Sequence, residues 1–151
     1  DDTYVLDNSL HVVIEELNEG IDTVFVDFGG SYSLTENVEN IISLSEIGIT
    51  ITDNASDNFI IGSDAPDTII SKSGNDVLMG GEGKDTFYVD FGDRKIDLIG
   101  FDINEDQFTF MDGFGTEIPI SETVLNIDGL KTELSYAGET LEVFNYEFIL
   151  A

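Results

Sequence analysis

The sequence predicts an all-β fold, a right-handed parallel β-roll or β-helix with an antiparallel C-terminal cap, on three observations. Aspartate followed two residues later by an apolar residue recurs at Asp57/Phe59, Asp67/Ile69, Asp76/Leu78 and Asp85/Phe87, in steps of 10, 9 and 9. A nine-residue period of this kind is a signature of parallel β-helices, in which each unit buries its apolar face only by stacking on its neighbours. The apolar runs are too short for helices and suit short strands. Finally, the eleven residues from Glu19 to Gly29 match those from Glu82 to Gly92 at eight positions, so the chain is internally repetitive.

Composition bounds the chemistry. A chain of 151 residues suits one domain, here read as 1–151, and 41% hydrophobic residues suffice for a core. Against 32 acidic residues stand five basic ones, a net charge of −27, which excludes binding to nucleic acid or to an anionic membrane surface and makes cations the natural partners. Cysteine is absent, which removes disulfides, thiol catalysis and thiolate metal sites; a lone His11 cannot build a zinc site of several imidazoles. Carboxylate and carbonyl oxygens remain, and these suit a hard cation such as calcium. No apolar run approaches the ~18 residues of a membrane helix, so no membrane insertion is expected. Asp1-Asp2-Thr3-Tyr4 has neither the basic nor the apolar region of a cleaved signal peptide.

Residues 1–52 read as degenerate repeats. Asp2-Thr3-Tyr4-Val5-Leu6-Asp7 is a third copy of the D-T-x-x-V/L-D core without its upstream loop, which reads as a fragment from inside a longer array. Asp2, Asp22 and Asn40 keep a coil spacing of 20 and 18 residues, but their loops lack the glycine pattern, which assigns them to packing or to a weak site. Residues 53–106 form the regular ladder. Its third unit, Gly80-Gly81-Glu82-Gly83-Lys84-Asp85-Thr86-Phe87-Tyr88, fits G-G-x-G-x-D-x-U-x completely; the glycine half turns tightly, and the Thr-Phe-Tyr half suits a strand. After a three-residue insertion the pitch resumes at Asp97/Ile99 and Asp106/Phe108.

Two units make one coil of about 18 residues, which sets Asp67 over Asp85 and, with one extra residue, Asp57 over Asp76. Stacked carboxylates repel unless a cation lies between them. The inward ladder is expected to be Phe59, Ile69, Leu78, Phe87, Ile99 and Phe108, and alternation turns Ile60, Ile70, Met79 and Tyr88 outward. Residues 107–151, with Phe108, Phe110, Met111 and Phe114 and then apolar strands flanking Ala137-Gly138-Glu139, read as a hairpin-rich cap, because an open strand edge would recruit other chains. Phe148-Ile149-Leu150-Ala151 reads either as a packed last strand or as part of an export signal.

The three units from Gly62 to Tyr88 resemble the repeats-in-toxin (RTX) calcium-binding β-roll, and weaker likeness extends over most of the chain. The resemblance implies calcium-triggered folding outside the cell, after export by a type I secretion machinery. It implies a best site made of Ser63, Ala65, Asp67, Gly80, Glu82 and Asp85, and a second made of Asp53, Ala55, Asp57, Ser71, Ser73 and Asp76. Asp97, Asp106, Asp102 and Asp22 are weaker candidates. Pro66 and the serines at 63, 71 and 73 depart from the glycine-rich pattern, so two or three calcium ions are expected and not a full row.

Other chemistries fit less well. Asp102-Ile103-Asn104-Glu105-Asp106 begins like an EF-hand, but Gln107 and Gly113 fall where a glycine and a bidentate glutamate are needed. No serine lies in a nucleophile elbow, and regular spacing explains the paired carboxylates better as ligands than as glycosidase acids. The expectation is a non-catalytic, extracellular or cell-surface calcium-binding module near the C-terminus of a large adhesin-like bacterial protein, with a neighbouring domain or a glycan as a further partner. The alternative is a carbohydrate-binding accessory module of a secreted polysaccharide-modifying enzyme.

Overall fold

β-Branched and aromatic triplets separated by glycine- and aspartate-rich turns can bury an apolar face only as stacked strands. The computed structural model describes residues 1–90, 93–102, 104–112, 115–118, 124–128, 131–136 and 139–146, and among these there is no helix. The strands are β1 (Thr3–Leu6), β2 (Thr23–Val26), β3 (Gly30–Ser33), β4 (Asn40–Ser43), β5 (Ile49–Thr52), β6 (Phe59–Ile61) and β7 (Thr68–Ser71). They continue as β8 (Gly74–Met79), β9 (Thr86–Asp90), β10 (Asp93–Ile99), β11 (Gln107–Met111), β12 (Val124–Asp128), β13 (Lys131–Tyr136) and β14 (Glu139–Tyr146).

From β2 to β11 the chain passes between two parallel sheets. The first has the order β1-β2-β4-β6-β8-β10-β14-β13-β12 and the second β11-β9-β7-β5-β3. The result is a β-solenoid of about five turns. β14 pairs in parallel with β10, and β12–β13 and β13–β14 pair antiparallel, so the strand edge of β10 is covered by a meander. Because nine residues make half a coil, the two long matching segments lie on opposite sheets, Thr23 opening β2 and Thr86 opening β9.

Between the sheets the side chains stack rung on rung. Val24, Ile41, Ile60, Leu78 and Leu98 align on the first sheet. Tyr32, Ile51, Ile69 and Phe87 align on the second, and all nine are buried. Phe108 continues the second column partly buried, and edge-on contacts from Phe87 to Phe101 (5.8 Å) and Phe101 to Phe108 (6.3 Å) fill that end of the core.

Five expectations need correction, each tracing to a one-residue slip, and in a strand such a slip exchanges the two faces. Asn58, not Asp57, stacks with Asp76, because the coil between them keeps 18 residues. Ile60 is therefore fully buried and Phe59 half-buried on the outside, the reverse of the expected order. In β10 a bulge between Asp93 and Lys95 shifts the register, so Ile96 and Leu98 point inward and Ile99 outward. Asp97 is consequently a strand residue, held by Lys95 at 2.7 Å, and not a loop rung. Upstream, a shorter coil of 17 residues puts Glu39, not Asn40, over Asp22. The outer column that faces away from the core on the first sheet then runs Phe25, Ile42, Ile61, Met79 and Ile99. Ile70 and Tyr88 do align on the outer face of the second sheet. The expected features at Phe114, Ala137-Gly138 and Phe148-Ile149-Leu150-Ala151 lie outside the described residues.

Candidate metal centre

Stacking puts the turns of successive coils directly above one another, in two stacks on opposite sides of the roll. In the first, Asp67, Asp85 and Asp106 occupy one rung position on three coils. Each carboxylate turns back to the coil before it. Oδ1 of Asp67 accepts from the Ile49 N–H at 2.7 Å, that of Asp85 from the Asp67 N–H at 2.9 Å, and that of Asp106 from the Asp85 N–H at 2.9 Å.

The second oxygens differ. Asp67 Oδ2 accepts from the Ser63 N–H at 2.5 Å and the Ser63 hydroxyl at 3.0 Å, so the serine replacing a glycine here wires its own loop. Asp106 Oδ2 accepts from the Asp102 N–H at 2.8 Å. Asp85 is 1% exposed, and its Oδ2 has no hydrogen-bond partner. An orphaned buried carboxylate oxygen costs several kcal/mol unless a cation or proton meets it. Burial, and then the negative charges of Asp106 and Asp67, push the Asp85 carboxyl up to about 6 against the pull of the Asp67 N–H.

Carbonyls of the same turn stack lie against the neighbouring loop. A Cβ on Gly81 would lie 1.9 Å from the Ser63 carbonyl oxygen, and one on Gly62 2.2 Å from that of Gly80, so both oxygens point across to the neighbouring loop. The Ala65 carbonyl accepts from the Ser63 hydroxyl at 3.3 Å, and Glu82 is exposed. The donors are all hard oxygens, with one carboxylate oxygen unsatisfied, a set that fits Ca²⁺.

The second stack holds Asp53, Ser71 and Asp76. Asp76 Oδ1 accepts from the Asn58 N–H and its Oδ2 from the Ser71 hydroxyl, both at 2.8 Å. Asp53, 1% exposed, accepts from the Lys72 N–H through Oδ1 at 2.9 Å, and its Oδ2 has no partner. Burial and then the Asp76 charge raise its carboxyl to about 7, opposed by Ser71 and by the Lys72 N–H and charge. Asp57 is exposed and accepts from the Asn75 N–H at 2.9 Å; Ala55 is exposed and Ser73 half-buried.

The weaker candidates separate. Asp102 is exposed in a turn where Asn104 donates to it through backbone and side chain, which lowers its pKa. Asp97 lies away on β10. Asp22 is buried, and oxygens of Asp2, Glu15 and Asp22 come within 4.8 Å of one another. Glu15, which also accepts from the Tyr4 hydroxyl, was not legible in the sequence, because it lies in a loop without repeat spacing.

A protein with this architecture is a parallel β-solenoid whose stacked acidic turns present oxygen ligands to a hard cation. Residues 61–96 match the family model of the RTX calcium-binding nonapeptide repeat, in four copies; the chain therefore carries RTX calcium-binding repeats. No curated protein matches the chain.

The raised carboxyls give a signed prediction for the calcium-free protein. Groups whose folded pKa lies above the unfolded value of 3.8 stabilise the fold while protonated. Their contribution is full below about pH 4 and lost as pH rises through about 6 for Asp85 and about 7 for Asp53. In EDTA, acidification from about pH 7.5 to about 5 should increase the β-sheet signal of the chain; a decrease would show that neither carboxyl is buried as described.

Proposed function

We propose that the protein is a non-catalytic Ca²⁺-binding module that folds on calcium outside the cell, as the C-terminal part of a large secreted, adhesin-like protein. Four RTX repeats support the calcium reading, and RTX repeats are characteristically extracellular. Among the described residues no helix is long and apolar enough to cross a membrane. Export by a type I machinery and the adhesin-like parent follow from the family resemblance. In this reading the β12–β14 meander closes the end of the roll.

The observation that carries the proposal is the buried, unpartnered Asp85 Oδ2 in a turn stack where the Ser63 and Gly80 carbonyls face the neighbouring loop. Ser63, Ala65, Asp67, Gly80, Glu82 and Asp85 form the first site, with Asp67 and Asp85 supplying the charge. The second lies in the Asp53–Asp76 stack. The number of ions is two or three.

Calorimetric calcium titration tests this. Asp85→Ala should lower calcium affinity by about tenfold or more, because charge count sets affinity in oxygen sites. Asp22→Ala should change it little, since Asp22 already meets the Asp2 N–H at 2.5 Å and lies in a turn without the glycine pattern. Equal losses would contradict the assignment of the first site.

A further inference from the structure

The second turn stack contains a carboxylate in an unexpected place. Beneath Asp76 stands Asn58, an uncharged amide, so the rung lacks one of the two anions that the first stack sets one above the other. Asp57 does not make up the deficit: it is exposed, and its Oδ1 is taken by the backbone and side chain of Asn75 at 2.9 and 3.0 Å. Asp53 lies at the end of β5, where its N–H donates to the Ile70 carbonyl, and its side chain is 1% exposed. Its Oδ2 and the Oδ1 of Asn58 are both buried without a hydrogen-bond partner. Ser71 links the two acids, because its hydroxyl donates to Asp76 at 2.8 Å and also favours the charged form of Asp53. The two buried carboxylates flank Ser71, and Asp53, with one oxygen unsatisfied, has its desolvation offset only in part by the charge of the exposed Lys72.

We propose that the cation of the second stack is held by the side-chain carboxylates of Asp53 and Asp76, with Asn58 Oδ1 as a neutral ligand, while Asp57 stays outside the coordination shell and ties one loop to the next. Asp53, five residues before Asn58 as Ser71 is before Asp76, stands in for the missing rung anion and restores two negative charges to the site. This rests on the calcium reading above and decides which side chains serve it.

The test counts bound Ca²⁺ by equilibrium dialysis of the full chain at neutral pH, for the wild type, Asp53→Asn and Asp57→Asn, with circular dichroism of each. Asp53→Asn should bind one ion fewer than the wild type, and Asp57→Asn should bind the same number. Asp53→Ser, which copies Ser71 of the next coil, provides a second neutral variant and should also lose one ion. An unchanged count in both Asp53 variants would overturn the proposal, whatever β-sheet signal each variant keeps without calcium. Loss of the ion from Asp57→Asn would overturn it as well. If the wild type itself binds no calcium, the failure lies in the calcium reading and not in the choice of ligand.

Discussion

Ile60→Ala should cost the calcium-loaded protein about 2–5 kcal/mol, whereas Phe59→Ala, one residue earlier and with a larger side chain, should cost about 1 kcal/mol. Ile60 is fully buried between Ile41 and Leu78 in the inner column, so truncation leaves a cavity that the stacked rungs above and below cannot collapse to fill. Phe59 sits half-buried on the outer face between Asn40 and Val77, where water can enter the space it vacates. Ranking by side-chain size alone would give the opposite order. Denaturant midpoints of the two variants at saturating calcium decide, and a larger loss for Phe59→Ala would mean that β6 faces the other way.

Gly81→Ala should destabilise the fold more than Gly30→Ala, although the two glycines share nearly the same backbone conformation, φ of 112° and 111°. An alanine pays about 1–3 kcal/mol for that φ at either position. At Gly30 the added Cβ meets nothing within 4 Å, so the conformational cost is the whole cost. At Gly81 it would lie 1.9 Å from the Ser63 carbonyl oxygen and 2.9 Å from its carbon. Backbone must move, adding about 1–3 kcal/mol and displacing an oxygen assigned to the first calcium site. Calcium affinity should therefore fall in Gly81→Ala and hold in Gly30→Ala. Equal effects in both assays would show that the loops do not approach as described.

How much was legible in the sequence depended on whether the coil length stayed constant. Between Asp67 and Asp85 it is 18 residues, and the stacking of these two, with Ile69 and Phe87 pointing inward, follows from the nine-residue pitch alone. Where an aspartate falls one residue out of step with the coil, the pattern of aspartates misleads. Asp57 attracts attention because Phe59 follows it at the repeat spacing, yet hydrogen bonding across coils selects Asn58, and alternation then buries Ile60. Asp97 fails for a related reason, since the bulge before Lys95 is a backbone event that side-chain spacing does not announce. The side-chain role of the buried Asp53 is not legible from spacing, because it depends on which way the end of β5 faces. The parallel solenoid itself was plain, because dozens of residues repeat the same signal and an error at one coil does not propagate to the next.

In the proposed function, calcium between the stacked turns stabilises this fold in a chain of net charge −27. Extracellular calcium sites bind at about 10⁻⁴–10⁻³ M, and ion at 100 times its dissociation constant adds about 2.7 kcal/mol per site, enough to decide the state of a marginal domain. The most direct measurement is far-UV circular dichroism and thermal melting of the protein at neutral pH, first in EDTA and then with CaCl₂ raised past the millimolar range. The β-sheet signal and the melting transition should be largely lost in EDTA and recovered on adding calcium. The same β spectrum and the same melting temperature under both conditions would contradict it.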